Sequence, residues 1–222
     1  MPRQNPDQTV EINDAYKHIV IEGNIGAGKT TAAKALAQDI EARLILERFD
    51  DNPFLSKFYN DRERYSFQVE LHFLAERYQQ LSKNLLGDIF QEFTIYDYFF
   101  VKSYIFSTIN LSDDELILFN NLYQIMERFM PRPDILIYLH YNNTQLLDHI
   151  KERGRDFEST IERKYLETIT SKYFSCFKEI QNYPVIILNM ENEENSGKEI
   201  VLTKIKDILS KNWPKGLSQT VL

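Results

Sequence analysis

The chain has 222 residues, with 26 Lys and Arg against 33 Asp and Glu, a net charge of −7 and a single cysteine. That length carries a sizeable core within one α/β unit. The acidic balance argues against a duplex nucleic-acid partner, whose phosphates need a basic face, and the lone Cys176 excludes an intrachain disulfide and a cysteine-built zinc site.

Residues 1–15 are polar, include Pro2 and Pro6, and read as a mobile leader ahead of one domain over 16–222. Met1-Pro2-Arg3-Gln4-Asn5-Pro6 has no signal-peptide core and no apolar run reaches the length of a membrane span, so the expected location is cytoplasmic, with no membrane partner. The first strand is expected over His18–Glu22. It runs straight into Gly23-Asn24-Ile25-Gly26-Ala27-Gly28-Lys29-Thr30, a complete G-x-x-x-x-G-K-T phosphate loop, and a helix-favouring stretch over Thr30–Glu41 follows. Strand, loop and helix are what the motif requires: backbone N–H groups cradle phosphate oxygens, and the helix N-terminus offers its positive dipole end. Lys29 is expected on the β- and γ-phosphates of a nucleoside triphosphate, and the Thr30 hydroxyl on Mg²⁺, with Thr31 next in line.

Further strands are expected at Leu44–Glu47, Thr94–Asp97, Ile135–Leu139 and Val185–Leu188. Helices are expected at Pro53–Tyr59, Ser66–Leu86, Lys102–Ile109, Ser112–Phe129, Thr144–Glu152, Ile161–Ile180 and Lys198–Leu209. The alternation predicts an α/β fold, a five-stranded parallel sheet with helices on both faces. Ligands gather at the carboxyl ends of such strands, which directs attention to Glu47 and Asp97. A hydroxyl acceptor is served by a carboxylate base, whereas a nucleoside monophosphate acceptor needs none; Glu47 suits the first task. Arg153-Gly154-Arg155 places two guanidinium groups around a flexible residue, either as a lid over transferring phosphate or as an ordinary basic helix end.

These residues form an ordered set: the phosphate loop, Glu47, Asn52-Pro53-Phe54-Leu55, Tyr59, Glu63-Arg64-Tyr65-Ser66-Phe67, Asp97, Tyr104-Ile105-Phe106, Arg153-Gly154-Arg155 and Tyr165-Leu166. Over nearly the whole chain after residue 17 the set resembles the deoxynucleoside kinases, the branch that includes deoxycytidine and deoxyguanosine kinases. The resemblance implies transfer of the ATP γ-phosphoryl to the 5′-hydroxyl of a deoxynucleoside, with Mg²⁺, by a homodimer. It implies Glu47 as base for the 5′-hydroxyl, Tyr59 and Glu158 on the sugar 3′-hydroxyl, and Arg77 toward the nucleobase and the catalytic region. It also implies Arg153 and Arg155 as a lid, Asp97 with Thr30 on Mg²⁺, and 191–195 beside the donor adenine.

The chain departs from that family in two places. Where the family carries a Glu-Arg-Ser or Asp-Arg-Ser signature, this sequence has Asp97-Tyr98-Phe99, so the signature arginine is missing. Lys102, a turn further on, is either its substitute as a catalytic cation or a solvated helix residue. Glu70 stands where the family commonly has glutamine, seven positions before Arg77 and on the same helical face. Gln68 lies about 200° from it around the helix. An ionised carboxylate only accepts hydrogen bonds, so Glu70 points to a base that donates, a purine such as guanine and in part adenine; the other reading is a surface Glu70–Arg77 pair. The aromatic residues from Phe93 to Phe106 are mostly core, and His18, His72, His140 and His149 show no metal-ligand spacing. His149 sits near the lid, where the family often has another arginine. Two rivals remain: a thymidylate-type monophosphate kinase, against which Glu47 speaks, and a phosphate-loop switch, for which no switch segment is evident.

Overall fold

A computed structural model describes residues 12–49, 51–83, 92–190 and 197–220. The chain runs β1 (His18–Gly23), α1 (Lys29–Asp39), β2 (Arg43–Ile45), α2 (Leu55–Asn60), α3 (Arg62–Lys83), β3 (Thr94–Tyr96), α4 (Val101–Asn110) and α5 (Asp113–Glu127). It continues with β4 (Ile135–His140), α6 (Asn143–Arg153), a 3-10 turn (Asp156–Glu158), α7 (Arg163–Glu179), β5 (Pro184–Asn189), α8 (Lys198–Leu209) and β6 (Gly216–Thr220).

All strands pair in parallel in the order β2-β3-β1-β4-β5-β6. The central strands read as unbroken apolar runs because helices cover both their faces. Ile19, Val20, Ile21, Ile135, Leu136, Ile137, Val185 and Ile186 are all fully buried. Helices α1 and α8 pack on each other, and α3, α4, α5 and α7 form a second connected group. Asn13 N–H donates to the Leu209 carbonyl at 2.9 Å, so the chain is already tied to the end of α8 before β1 begins. Residues 1–11 of the expected leader, the 84–86 end of the third expected helix and the 191–195 segment lie outside the described residues.

Among the described residues the sheet has six strands, not the expected five. The missing one, Gly216-Leu217-Ser218-Gln219-Thr220, is an edge strand along β5 and has little apolar pattern of its own. A polar edge strand is held by lateral backbone pairing, which leaves no periodic signature. Among the described residues, no helix is long and apolar enough to cross a membrane.

The parallel arrangement brings the carboxyl ends of β1, β2 and β3 side by side. Glu22 enforces this at the corner. Fully buried at the end of β1, its carboxylate accepts hydrogen bonds from Gly23 N–H (3.2 Å), Phe99 N–H (3.0 Å) and Tyr173 O–H (3.1 Å). It thereby joins the phosphate loop, the β3–α4 corner and α7. Burial raises its carboxyl above the ordinary value, against the pull of Lys102 and Lys29.

Candidate active site

The phosphate loop closes around two glycines with positive φ, Gly26 at +84° and Gly28 at +74°. Gly26 has a second constraint: a Cβ there would stand 2.7 Å from the Leu146 carbonyl oxygen. Asn24 pins the loop to α7, its Nδ2 donating to the Leu166 carbonyl and to Thr170 Oγ1, each at 2.8 Å, while its Oδ1 accepts from Ile25 N–H at 2.7 Å. His149 Nδ1 lies 3.0 Å from the Gly26 carbonyl, so this residue of α6 braces the loop. Lys29 Nζ donates to the Asn24 carbonyl at 2.9 Å. Burial and the neighbouring Lys102 lower its ammonium to about 8.

Beside the loop, Asp97 follows β3 and joins three elements. Its Oδ2 accepts from Thr30 Oγ1 at 2.5 Å and its Oδ1 from Glu47 N–H at 2.7 Å. Glu47 carries two cations. Arg77 donates Nε and Nη2 to Glu47 Oε1 at 2.9 and 2.6 Å, and Lys102 Nζ donates to Oε2 at 2.5 Å. Burial alone would raise the Glu47 carboxyl, but Lys102 and Arg77 outweigh it and hold it at about 2. Arg77 also donates to Ser103 Oγ at 2.8 Å and makes no hydrogen bond to Glu70. Tyr98, in the place of the signature arginine, is buried and turned away, its O–H donating to Gln80 Oε1 at 2.7 Å. Lys102 is the second cation on Glu47, beside Arg77, and it is buried rather than solvated.

The placement of Arg153 and Arg155 follows from local backbone. Asn142 and Gln145 form a capping box at the start of α6, and Gly154 ends the helix in the left-handed conformation at φ +68°. That reversal lets Arg153, on the last helical turn, and Arg155, just past it, converge on one acceptor. Arg153 pairs with Glu158 Oε2, and Arg155 with Oε1 at 3.3 Å. The Arg155 guanidinium also lies 3.7 Å from the centre of the Phe49 ring. Tyr59 stacks on Phe157 with ring centres 5.6 Å apart, and its phenol is raised above the ordinary value by burial, with Tyr165 and Glu158 adding to it.

Two cavities meet here. One is open along the phosphate loop and includes Thr31, Lys34 and His149. The other, between α2, α3 and α4, is lined by Tyr59, Glu70, Phe73, Arg77, Phe106, Asn110 and Tyr165 among others. Lys29, Thr30, Glu47, Phe49, Arg153 and Arg155 line both. A nucleophile held in the inner cavity would therefore face a phosphate held on the loop, with Glu47 between them.

Glu70 and Arg77 are both buried, which sets aside a surface pair, and Gln68 on the other side of α3 is exposed. Asn110, Ser103, Phe49 and Glu22 were not singled out by the sequence. Ser103, Phe106 and Asn110 lie at i, i+3 and i+7 on α4, so helical periodicity around Lys102 marks that face as inward. Glu22 and Phe49 have no local signal, because each acts through a contact distant in sequence.

The sequence model of the deoxynucleoside kinase family matches residues 19–210. The chain is 37% identical over 191 residues to a deoxyguanosine kinase of Bacillus subtilis (strain 168), covering 84% of this chain and 90% of that one. It is 32% identical over 212 residues to a deoxyadenosine/deoxycytidine kinase of the same organism, covering 89% and 95%. Among solved structures, a deoxyadenosine kinase from M. mycoides with products dCMP and dCDP bound superposes with a TM-score of 0.73, at 24% identity, over 86% of this chain and 97% of that one. The chain belongs to the deoxynucleoside kinase family and is an ATP-dependent kinase.

Proposed function

We propose that this enzyme phosphorylates the 5′-hydroxyl of a purine deoxynucleoside. One observation carries the reading: the open loop cavity and the inner cavity share Glu47, Lys29 and the two lid arginines as common walls. ATP lies with its phosphates on Gly23–Thr30, and the deoxynucleoside occupies the inner cavity with its 5′-hydroxyl at Glu47. A carboxylate held at about 2 is a weak base. It serves by accepting the hydroxyl's hydrogen bond and aiming the oxygen, taking the proton late, when bond formation to phosphorus has made it acidic. Lys102 supplies the charge that the signature arginine supplies elsewhere in the family. Arg153 and Arg155 leave Glu158 in part to meet the transferring phosphoryl group, where planar donors match spread negative charge. Tyr59 and Glu158 hold the sugar 3′-hydroxyl.

Thr30 and Asp97 offer an alcohol and a carboxylate 2.5 Å apart, oxygen donors of the hard type that suits Mg²⁺. They would hold the ion, which when bound neutralises charge on the β- and γ-phosphates. Support for a purine comes from Glu70, buried in the inner cavity with acceptor capacity unfilled, and from the names of the relatives, which include deoxyguanosine and deoxyadenosine kinases. A homodimer is part of the same reading: Ile117, Leu118, Ile125 and Phe129 on and after α5 are exposed, a face that a second copy would cover.

The test is a panel of ATP with the four deoxynucleosides and their monophosphates, reading products by mass. Purine deoxynucleosides should become 5′-monophosphates; phosphorylation of monophosphates alone would overturn the reading. Light scattering on the eluting enzyme should give twice the chain mass, and a monomer mass would remove the dimer.

A further inference from the structure

The inner cavity has a second polar edge, separate from Glu47, to which phosphoryl transfer assigns no task. Glu70, in the middle of α3, is 2% exposed. Its Oε1 accepts a hydrogen bond from Asn110 Nδ2 at 2.7 Å, and its Oε2 is buried with no hydrogen-bond partner among the described residues. Asn110, the last residue of α4, is fixed in orientation by α7, because the Tyr165 O–H donates to its Oδ1 at 3.0 Å. Turned over, the amide would set Oδ1 against Glu70 Oε1, two acceptors face to face whenever that carboxyl is ionised. Nδ2 therefore faces Glu70, and Oε1 is held as an acceptor.

We propose, on the purine reading above, that Glu70 reads the Watson–Crick edge of the base in two protonation states, as a carboxylate for guanine and as a carboxylic acid for adenine. The ionised group presents two acceptors, which match the N1–H and N2–H donors of guanine. The neutral group presents one donor and one acceptor. With the Asn110 amide in the orientation the structure shows, Oε1 accepts from Nδ2–H and the proton sits on Oε2. Oε2–H then donates to adenine N1, and the remaining lone pair of Oε1 accepts from adenine N6–H. The proton comes from solvent and the base keeps its ordinary tautomer in both cases. Asn110 is thus a specificity-determining residue that acts by deciding which Glu70 oxygen carries the proton.

The groups around Glu70 make both states accessible. Burial favours the neutral form, and Glu47, beyond β2, works in the same direction. The Asn110 bond, Arg77 on α3 and Lys102 on α4 favour the ionised form. Tyr165 on α7 stays neutral, its phenol raised by burial and then by Glu70 itself. The balance places the Glu70 carboxyl at about 7, inside the range of an ordinary assay.

The experiment is kcat/KM of the wild-type enzyme for deoxyguanosine and deoxyadenosine, with saturating ATP and Mg²⁺, from about pH 5.5 to about pH 8.5. Groups that act on both substrates, such as Lys29 and Glu47, cancel in the ratio. The deoxyguanosine-to-deoxyadenosine ratio should rise about tenfold or more with pH, the size of a charge-assisted hydrogen bond gained or lost. Deoxyinosine, which has N1–H but no 2-amino group, should follow deoxyguanosine. Glu70→Gln should flatten the ratio, and Asn110→Ala should move its midpoint to higher pH, since a bond favouring the carboxylate is gone. A flat wild-type ratio overturns the proposal, and needs no variant to fold. The purine reading stands or falls separately, on whether the panel of four deoxynucleosides gives purine 5′-monophosphates; an unchanged purine-to-pyrimidine ratio in Glu70→Gln removes Glu70 as its determinant.

Discussion

Lys102 Nζ lies 2.5 Å from Glu47 Oε2, opposite Arg77 on Oε1, so the Glu47 carboxylate sits in a clamp of two cations drawn from α3 and α4. Where the resemblance predicts an arginine the chain has Tyr98, and the two cations on Glu47 come from other positions. A lysine ammonium is a point charge without arginine's fork, so it balances Glu47 on one oxygen only.

Lys102 should therefore be catalytic through its charge. Lys102→Met should lower kcat about 100- to 1,000-fold, as removal of one preorganised electrostatic donor does, with a smaller change in the KM for nucleoside. Lys102→Arg should keep activity within about tenfold of wild type. Steady-state kinetics checks both, and near-wild-type turnover of the Met variant would reduce Lys102 to a structural role.

Glu47→Gln should lose most of kcat while nucleoside binding, followed by calorimetry, persists. The variant should also be less stable by about 3 kcal/mol at pH 7, because it leaves Arg77 and Lys102 buried without their counter-charge. The pH dependence carries the sign. The Glu47 carboxyl is lowered in the folded state, so its contribution is present above its unfolded value and is lost only as pH falls through about 2. Glu47 should accordingly impose no acidic limb on kcat above about pH 4; an inflection near pH 5 that Glu47→Gln removes would contradict this.

Glu70 has the opposite sign. Its carboxyl is raised to about 7, so the folded chain binds more protons than the unfolded one between the two values, and stability falls as pH rises through that window. Glu70→Gln should stabilise the ligand-free protein at pH 8 by about 1–2 kcal/mol after the cost of an imperfectly paired amide. At pH 5 most of the gain is absent while the amide cost remains, so the variant should be no more stable than wild type. Thermal or urea unfolding at the two pH values decides it, and an equal difference at both would mean the side chain does not titrate in the folded protein.

The two positive-φ glycines of the loop should differ. Gly28→Ala meets no atom within 4 Å and carries only the left-handed backbone penalty of about 1–2 kcal/mol. Gly26→Ala adds a contact of 2.7 Å with the Leu146 carbonyl and 3.0 Å with Ile150, so it should cost about 3 kcal/mol or more and displace α6, which carries Arg153. Denaturation curves together with KM for ATP check the ranking; equal losses would show that α6 gives way without resistance.

Local signals determined much of this protein. The phosphate loop is contiguous, and its glycines, Lys29 and Thr30 are legible because the chemistry of phosphate binding is written in neighbouring residues. Glu47 and Asp97 were legible as polar residues closing apolar strands, and Arg153 and Arg155 as two guanidinium groups about a glycine. Helix α8 runs over the predicted residues, Lys198–Leu209, while β2 is shorter than its apolar pattern. The edge strand β6, which depends on β5 for its partner, had no pattern to read. Only the tertiary structure decided how Glu47 is balanced. Glu47, Arg77 and Lys102 belong to a loop and two helices, and the parallel sheet is what brings those elements to one corner. The same holds for Tyr165, Asn110 and Glu70, a chain of hydrogen bonds across α7, α4 and α3. A carboxylate's working protonation state is set by burial and by charges distant in sequence, and neither exists until the chain is folded.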